Sequence, residues 1–153
     1  MPRKRRLLRP LKCDCCSSHK VALVNNRLLY RKSVGDWPLL WYCFGCRAAV
    51  ACHSGTDEPL GLMADRETRK ARSNAHRAFD AVWKESSMTR REAYYWLRAQ
   101  LGINIKECHI GLFDAETCDL VISLSRTKVR YNRKKKRERA QQYHRGRKVR
   151  TKA

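Results

Sequence analysis

Four cysteines form two pairs with identical spacing. Cys13 and Cys16 make one Cys-x-x-Cys, and Cys43 and Cys46 make another, with 26 residues between the two pairs. The two-residue gap lets both sulfurs of a pair bind one ion, and two pairs complete a tetrahedral Cys₄ site, for which Zn²⁺ is the usual ion. Cys15 is a competing ligand, but only Cys13 and Cys16 have the right gap. Because four thiolates leave no open coordination position, the sequence predicts one structural zinc ion.

Other metal-binding residue types lie outside the two pairs. The candidates for a second metal site are Cys52, His53, His76 and His109, with Cys108 and Cys118 as further thiols. Such a site with an open position would activate water and make the protein a small metal-dependent nuclease. The alternative is that these residues are buried or hydrogen-bonded structural groups. The sequence favours this alternative, because it contains no HExxH motif, phosphate-binding glycine loop or convincing carboxylate pair.

Positive charge is concentrated at the two ends of the chain. The 153 residues have a net charge of +21. Residues 1–12 contain six basic side chains and no acidic one, and residues 126–153 contain fourteen basic and one acidic. The remaining 15 basic and 13 acidic side chains make residues 13–125 nearly neutral. Basic arms on a neutral body usually bind polyanions, most often nucleic acid, which is either DNA or RNA here.

The basic arms supply most of the candidate nucleic-acid contacts. Neither arm has enough apolar residues to build a core, so both are predicted to be disordered when free, and phosphate binding would order residues 133–144 as a helix. Trp37, beside a turn proline, is predicted to be exposed and able to stack on a base, whereas Trp41 and Tyr42 are predicted to be core. The candidate residues are Arg3, Lys4, Arg5, Arg6, Arg130, Arg133, Lys134, Lys135, Lys136, Arg137, Arg139, Arg145, Arg147, Lys148 and Trp37.

The cysteine pairs are flanked by sequence typical of short strands. Residues 21–24, 28–30 and 39–42 predict strands, and residues 48–51 predict a short closing strand, with a turn at Asn25-Asn26. Two knuckles joined by short antiparallel strands form a zinc ribbon. So small a module buries little apolar surface, and we expect metal binding to supply much of its folding free energy.

Helical patterns follow the ribbon. Residues 64–85 repeat apolar side chains at steps of three and four, which predicts an amphipathic helix. Thr89 and Glu92 form a capping box that starts a second helix, and Gly102 supplies its left-handed C-terminal cap. Asp114 is predicted to cap a third, short helix.

These elements predict a small α+β protein, with an N-terminal zinc ribbon packed with about three α-helices and a basic disordered arm at each end. The predicted divisions are a basic arm at 1–12, the ribbon at 13–62, the helical part of the same domain at 63–125 and a basic tail at 126–153.

The sequence also indicates a cytoplasmic location. No stretch approaches the roughly 20 apolar residues of a membrane span, and the basic start is followed by only Leu7 and Leu8, so we expect no signal peptide. Paired Cys-x-x-Cys spacing suits metal thiolates in a reducing compartment better than disulfides. No small-molecule substrate is indicated.

About residues 12–124 resemble a known family, the zinc-finger-containing domain of small phage and bacterial proteins. The resemblance rests on Cys13-x-x-Cys16, Trp41-Tyr42-Cys43-x-x-Cys46, Cys52-His53-x-Gly55-Thr56, Pro59-Leu60-Gly61, Ala75-His76-x-x-Phe79-Asp80, Trp83, Met88-Thr89, Ala93-Tyr94-x-Trp96-Leu97, Leu101-Gly102-Ile103 and His109-Ile110-Gly111-x-Phe113-Asp114. Two positions depart from the pattern: Cys15 replaces an expected aromatic residue, and Ser17 an expected glycine. The resemblance implies zinc and a phage or bacterial setting, and it implies no activity.

Three functional hypotheses follow. The favoured one is a non-catalytic, zinc-binding, nucleic-acid-binding protein that holds the phosphate backbone with its basic tails. The second is a regulator that docks on host transcription or translation machinery through the ribbon. The third is the small metal-dependent nuclease.

Overall fold

The three strands precede the three long helices along the chain, as the sequence predicts. A computed structural model describes the backbone of residues 7–150 and the side chains of residues 7–143. In chain order the elements are β1 (Val21–Asn25), α1 (Arg27–Tyr30), β2 (Leu39–Cys43), β3 (Ala49–Ala51), α2 (Arg66–Lys84), α3 (Arg90–Leu101), a 3-10 turn (Ile110–Leu112) and α4 (Ala115–Arg150). The small α+β class is confirmed.

The three strands form one antiparallel sheet with β2 in the centre. β1 pairs with β2 so that Val21 lies opposite Cys43, and β2 pairs with β3 so that Tyr42 lies opposite Ala49. Since alternate residues of a strand face opposite sides, Tyr42 packs on one face of the sheet while Cys43 and Trp41 belong to the cluster on the other. This pairing places Cys43, the last residue of β2, beside the start of β1.

The strand predicted at residues 28–30 is wrong, because this segment is the single-turn helix α1. The side chain of Asn25 accepts a hydrogen bond from the Arg27 amide at 2.9 Å. The Asn26 side chain donates to the Val34 carbonyl at 2.7 Å and accepts from its amide at 3.0 Å. These local bonds compete with strand pairing and turn the chain back before a strand can form.

The helices pack around an apolar core that is separate from the ribbon. Phe79 and Val82 of α2, Leu97 of α3, Ile110 of the 3-10 turn and Val121 of α4 are all fully buried in it. The apolar side chains that recur every three or four residues in α2 therefore face the core, as predicted.

The predicted helix caps are confirmed. In the capping box, the Thr89 amide donates to the Glu92 carboxylate at 2.6 Å, and the Glu92 amide donates to the Thr89 hydroxyl at 3.2 Å. Gly102 ends α3 in the left-handed conformation, with φ at 66°. Asp114 accepts a bond from the Thr117 amide at 2.8 Å and so caps α4.

The third helix is longer than predicted, and residues 126–150, predicted to form a tail that is disordered when free, continue this helix in the structure. α4 runs from Ala115 to Arg150, so the predicted boundary at residue 126 falls inside it. Residues 115–145 contain no proline or glycine and many good helix formers. Val129 is buried, and Arg133 is bonded to Glu85, so the first part of the predicted tail is held against α2. Of the N-terminal arm, residues 1–6 lie outside the described residues.

Two glycines join the ribbon to the helical part. A Cβ atom on Gly61 would lie 2.1 Å from the carbonyl oxygen of Gly111, so the two backbones can cross here only without a side chain. The Leu62 amide donates to the Gly111 carbonyl at 3.0 Å. The Arg72 side chain donates to the carbonyls of Leu62 and Phe113, both at 2.7 Å. The metal site and the helices are thereby fixed to each other.

For residues 7–150, where helices are described, none combines the length and the apolar composition needed to cross a bilayer.

Candidate metal centre

The first cysteine pair is held in a tight turn. The Cys13 amide donates to the Ser18 carbonyl at 2.9 Å, and the Ser17 amide donates to the Cys13 carbonyl at 2.9 Å. The Cys15 amide points at the Cys13 sulfur, 3.4 Å away. Ser17 has φ of 59°, in the left-handed region. This turn directs both paired sulfurs to the same side and gives one of them an amide donor.

The second pair repeats the geometry of the first, thirty positions later. The Cys43 amide donates to the Ala48 carbonyl at 2.9 Å, and the Arg47 amide donates to the Cys43 carbonyl at 2.8 Å. The Gly45 amide lies 3.3 Å from the Cys43 sulfur, and Arg47 has φ of 66°. Two equivalent knuckles therefore face each other at the edge of the sheet where β1 begins and β2 ends.

The four paired sulfurs converge on one point. All lie within 4.8 Å of one another, with Cys13 and Cys46 sulfurs 3.5 Å apart and Cys16 and Cys43 sulfurs 3.7 Å apart. A zinc ion with Zn–S bonds of about 2.3 Å needs tetrahedral S–S distances of about 3.8 Å. The site therefore fits one zinc ion held by four thiolates, as predicted.

Burial and backbone hydrogen bonds shift the pKa values of these thiols in opposite directions. Burial raises the pKa of Cys13 to about 12, against the backbone amides of Cys16 and Cys15. Burial also opposes ionisation of Cys43, but the Cys46 and Gly45 amides and the neighbouring thiols lower its pKa to about 7. Cys43 is thus the first of the two to become a thiolate, and the charge of a bound Zn²⁺ would favour ionisation of the others.

Two residues that support the site were missed in the sequence. The Asp14 carboxylate accepts a hydrogen bond from the Met63 amide at 2.8 Å, and this ties the first knuckle to the segment before α2. Met63 is 2% exposed and packs with Cys13 and Cys43, which closes the inner side of the sulfur cluster. Asp14 lies inside the Cys-x-x-Cys, but nothing in the sequence indicates that its partner is 49 residues away.

The second candidate site is not assembled. In the part of the chain whose side chains are described, the only group of three or more histidines, cysteines and carboxylates that could share an ion is the four paired cysteines. Cys52 is buried and its backbone bridges Pro59, while His76 and His109 lie on exposed parts of separate elements. His53 lies in the loop that follows Cys52.

Two further cysteines of that candidate set belong to the helical core. Burial raises the pKa of both Cys108 and Cys118 to about 11, so they are neutral thiols at physiological pH. This behaviour agrees with the structural interpretation of these residues.

The candidate nucleic-acid contacts fall into three groups. Arg3 to Arg6 lie outside the described residues, and Arg145, Arg147 and Lys148 lie on α4 where only the backbone is described. Arg133 is committed to a two-bond ion pair with Glu85, at 2.7 and 2.9 Å. The remaining candidates on α4 all have exposed side chains, and they are Arg130, Lys134, Lys135, Lys136, Arg137 and Arg139.

The ribbon tryptophans hold a loop. Trp37 is 38% exposed, as predicted, but its indole N–H donates to the Thr56 carbonyl at 2.7 Å. The Trp41 indole donates to the Asp57 carbonyl at 2.8 Å. Trp37 therefore has an anchoring role in addition to its exposed ring surface.

Comparison with known proteins supports the zinc site. A family described as a zinc-finger-containing domain matches residues 9–128, which include all four paired cysteines, α2, α3 and the first part of α4. No curated protein and no solved structure matches the chain.

Proposed function

Because the chain belongs to the zinc-finger-containing domain family, we propose that its zinc-stabilised body presents α4 to the phosphate backbone of nucleic acid. The zinc ion has a structural role in this proposal, since four thiolates complete its coordination. Phosphate contacts provide affinity without sequence specificity.

The exposed cationic part of α4 carries the proposal. Every described side chain from Arg133 to Tyr143 is exposed, and this stretch contains six basic residues and one acidic residue. Lys136, Arg137 and Arg139 have no acidic partner among the described residues. At about 1.5 Å per residue, the charges between Arg133 and Arg139 are spread over roughly 9 Å of the helix axis.

A free helix of this composition is electrostatically unfavourable. Like charges one helical turn apart destabilise a helix. In this part of α4 the basic residues are consecutive, and few buried contacts offset their repulsion. A polyanion removes that repulsion and releases its own condensed counterions. The same charges that oppose the isolated helix thus favour the helix bound to phosphate.

Salt-dependent binding of full-length protein to labelled duplex DNA and to single-stranded RNA tests the proposal. The test variant replaces Lys135, Lys136, Arg137 and Arg139 by glutamine, a good helix former that keeps the helix but removes the charge. The matched control replaces four exposed cations of the body by glutamine, at Lys20, Arg27, Arg66 and Lys106.

We expect the α4 variant to bind more weakly and to lower the slope of log K against log salt by about 0.9 for each lost duplex phosphate contact. The body variant loses the same charge, so it controls for net charge alone. Equal effects of the two variants, or wild-type protein that binds neither probe, would contradict the proposal.

A further inference from the structure

An open groove lies between α2 and α4 and has a strongly basic lining. Its volume is about 460 Å³. The residues that matter for its chemistry are Asn74, Arg77 and Ala78 on α2 and Arg126, Arg130 and Arg133 on α4. We call this feature the α2–α4 groove. Arg126 is not among the nucleic-acid contacts predicted from the sequence.

The two helices that form the groove run in the same direction. Arg72, in the first half of α2, bonds the Phe113 carbonyl just before α4 begins. Glu85, just after α2 ends, bonds Arg133 further along α4. Each helix therefore presents one continuous face to the groove. On α4 this face has basic side chains at Arg126, Arg130 and Arg133, spaced about one turn apart, or roughly 5 Å.

The charges in the groove are mostly uncompensated. The only acidic side chain in its lining is Glu85, which is occupied by the two bonds to Arg133. Among the described residues, Arg77, Arg126 and Arg130 have no acidic partner. Three guanidinium groups from two helices thus surround a space that is also lined by small apolar side chains such as that of Ala78.

This arrangement matches a phosphate-bearing strand. A guanidinium group offers a planar set of donors that fits phosphate oxygens in pairs, and it is less strongly hydrated than an ammonium group. Arg133 lines the groove, and the exposed cations of α4 follow it directly, so one strand can contact both regions. A row of cations along a helix suits a ligand with repeated negative charge better than a single anion.

We propose that the α2–α4 groove binds the phosphodiester backbone of one nucleic-acid strand, which then continues along the exposed part of α4. The inference rests on the proposed function and gives the body of the protein a direct share in binding. The Glu85–Arg133 pair positions α4 at the end of the groove.

Two neighbouring residues of α2 provide a matched test. Asn74 lines the groove, whereas Ser73 does not, and both are exposed. Asn74→Glu and Ser73→Glu change the net charge equally, on the same helix and one position apart. Binding of each full-length variant to a fluorescein-labelled 20-nucleotide strand and to its duplex is measured by anisotropy at several NaCl concentrations.

We expect Asn74→Glu to weaken binding by at least about tenfold at low salt, and Ser73→Glu by less than about threefold, because only the former places a carboxylate beside the bound phosphates. The double variant Arg77→Gln/Arg126→Gln should lower the salt slope by about 2 on duplex DNA. Zinc content and circular dichroism verify that each variant is folded.

The outcomes separate the two proposals. If the wild-type protein binds and Asn74→Glu and Ser73→Glu weaken its binding equally, the proposal for the groove is overturned, while the proposed function of α4 still stands. Wild-type protein that binds neither probe would overturn both. A larger effect on the single strand or on the duplex identifies which of the two the groove accepts.

Discussion

Ser17 and Arg47 occupy the same position in the two zinc knuckles. Each follows the second cysteine of its pair, and each has a positive φ, at 59° and 66°. This conformation costs an L-residue roughly 1–2 kcal/mol and costs glycine little. The structure thus explains why the family pattern leads us to expect glycine where this chain has Ser17.

Ser17→Gly should stabilise the zinc-loaded protein by about 0.5–1 kcal/mol, since relief of the backbone strain outweighs the greater freedom of glycine in the unfolded chain. The measurement is urea unfolding in the presence of zinc. Ser18 has no positive φ, so Ser18→Gly should be destabilising instead. Equal effects of the two changes would show that the left-handed turn is not the cause.

Cys15 and Cys16 are adjacent thiols with different predicted roles. Only Cys16 belongs to the four-sulfur group, whereas the Cys15 sulfur lies 3.5 Å from the Met63 carbonyl. Cys16→Ser should therefore lose zinc and loosen the ribbon, while Cys15→Ser should retain one zinc per chain by elemental analysis. Loss of zinc from Cys15→Ser alone would mean that the ligand set is wrong.

Zinc affinity should rise steeply with pH, because the ion binds thiolates and must displace protons. The pKa is raised at Cys13, to about 12, and raised at Cys46, so near pH 7 both thiols release a proton when zinc binds. Cys43, with a pKa of about 7, releases a further fraction. We expect at least about a hundredfold gain in affinity per pH unit between pH 6 and 7 in a chelator competition. A change below tenfold would contradict these ionisation states.

At the scale of elements, α4 has two parts with different environments. Its first half buries Cys118, Val121 and Val129 against the other helices. Beyond Arg133 it is exposed, and the ion pair with Glu85 is the last described contact that holds it to α2. The pair also lowers the pKa of Glu85, chiefly through the hydrogen bond from Arg133.

Glu85→Gln should loosen the middle of α4, because the two charge-assisted bonds from Arg133 are lost. Hydrogen exchange of the amides around residues 130–137 should become faster, with little change near Val121. Glu138→Gln is the matched control, since the ion pair of Glu138 among the described residues is with Lys134 of the same helix, at 4.0 Å. If both variants exchange alike, the interhelical pair does not position α4.

At the scale of the whole molecule, the cluster beside the paired cysteines and the core of the helical part are joined at a backbone crossing. One core surrounds Cys13, Cys43 and Met63, and the other surrounds Phe79 and the helices. The first includes two of the four zinc ligands, Cys13 and Cys43, while Cys16 and Cys46 lie at its exposed side.

Removal of zinc by a chelator should therefore unfold the ribbon before the helices. We expect peptides from residues 13–51 to lose protection in hydrogen exchange, while those that contain Phe79 and Val121 remain protected. Readdition of zinc should restore the ribbon. Simultaneous loss of protection in both parts would show that the backbone crossing at Gly61 makes the protein one cooperative unit.

The amino-acid sequence by itself determined the features that depend on near neighbours. The gap within each cysteine pair, the Thr89–Glu92 box and the cap at Gly102 are set by residues a few positions apart, so spacing reveals them. The separation of basic ends from a nearly neutral body is likewise a property of composition.

Only the tertiary structure decided features that depend on contacts between distant residues. By composition the segment after residue 126 resembles a disordered tail, yet Val129 and Arg133 meet α2, which lies more than 40 positions earlier in the chain. The Asp14–Met63 bond and the basic lining of the α2–α4 groove arise in the same way. Burial and charge pairing act through space, so sequence spacing cannot show which side chains will share one groove.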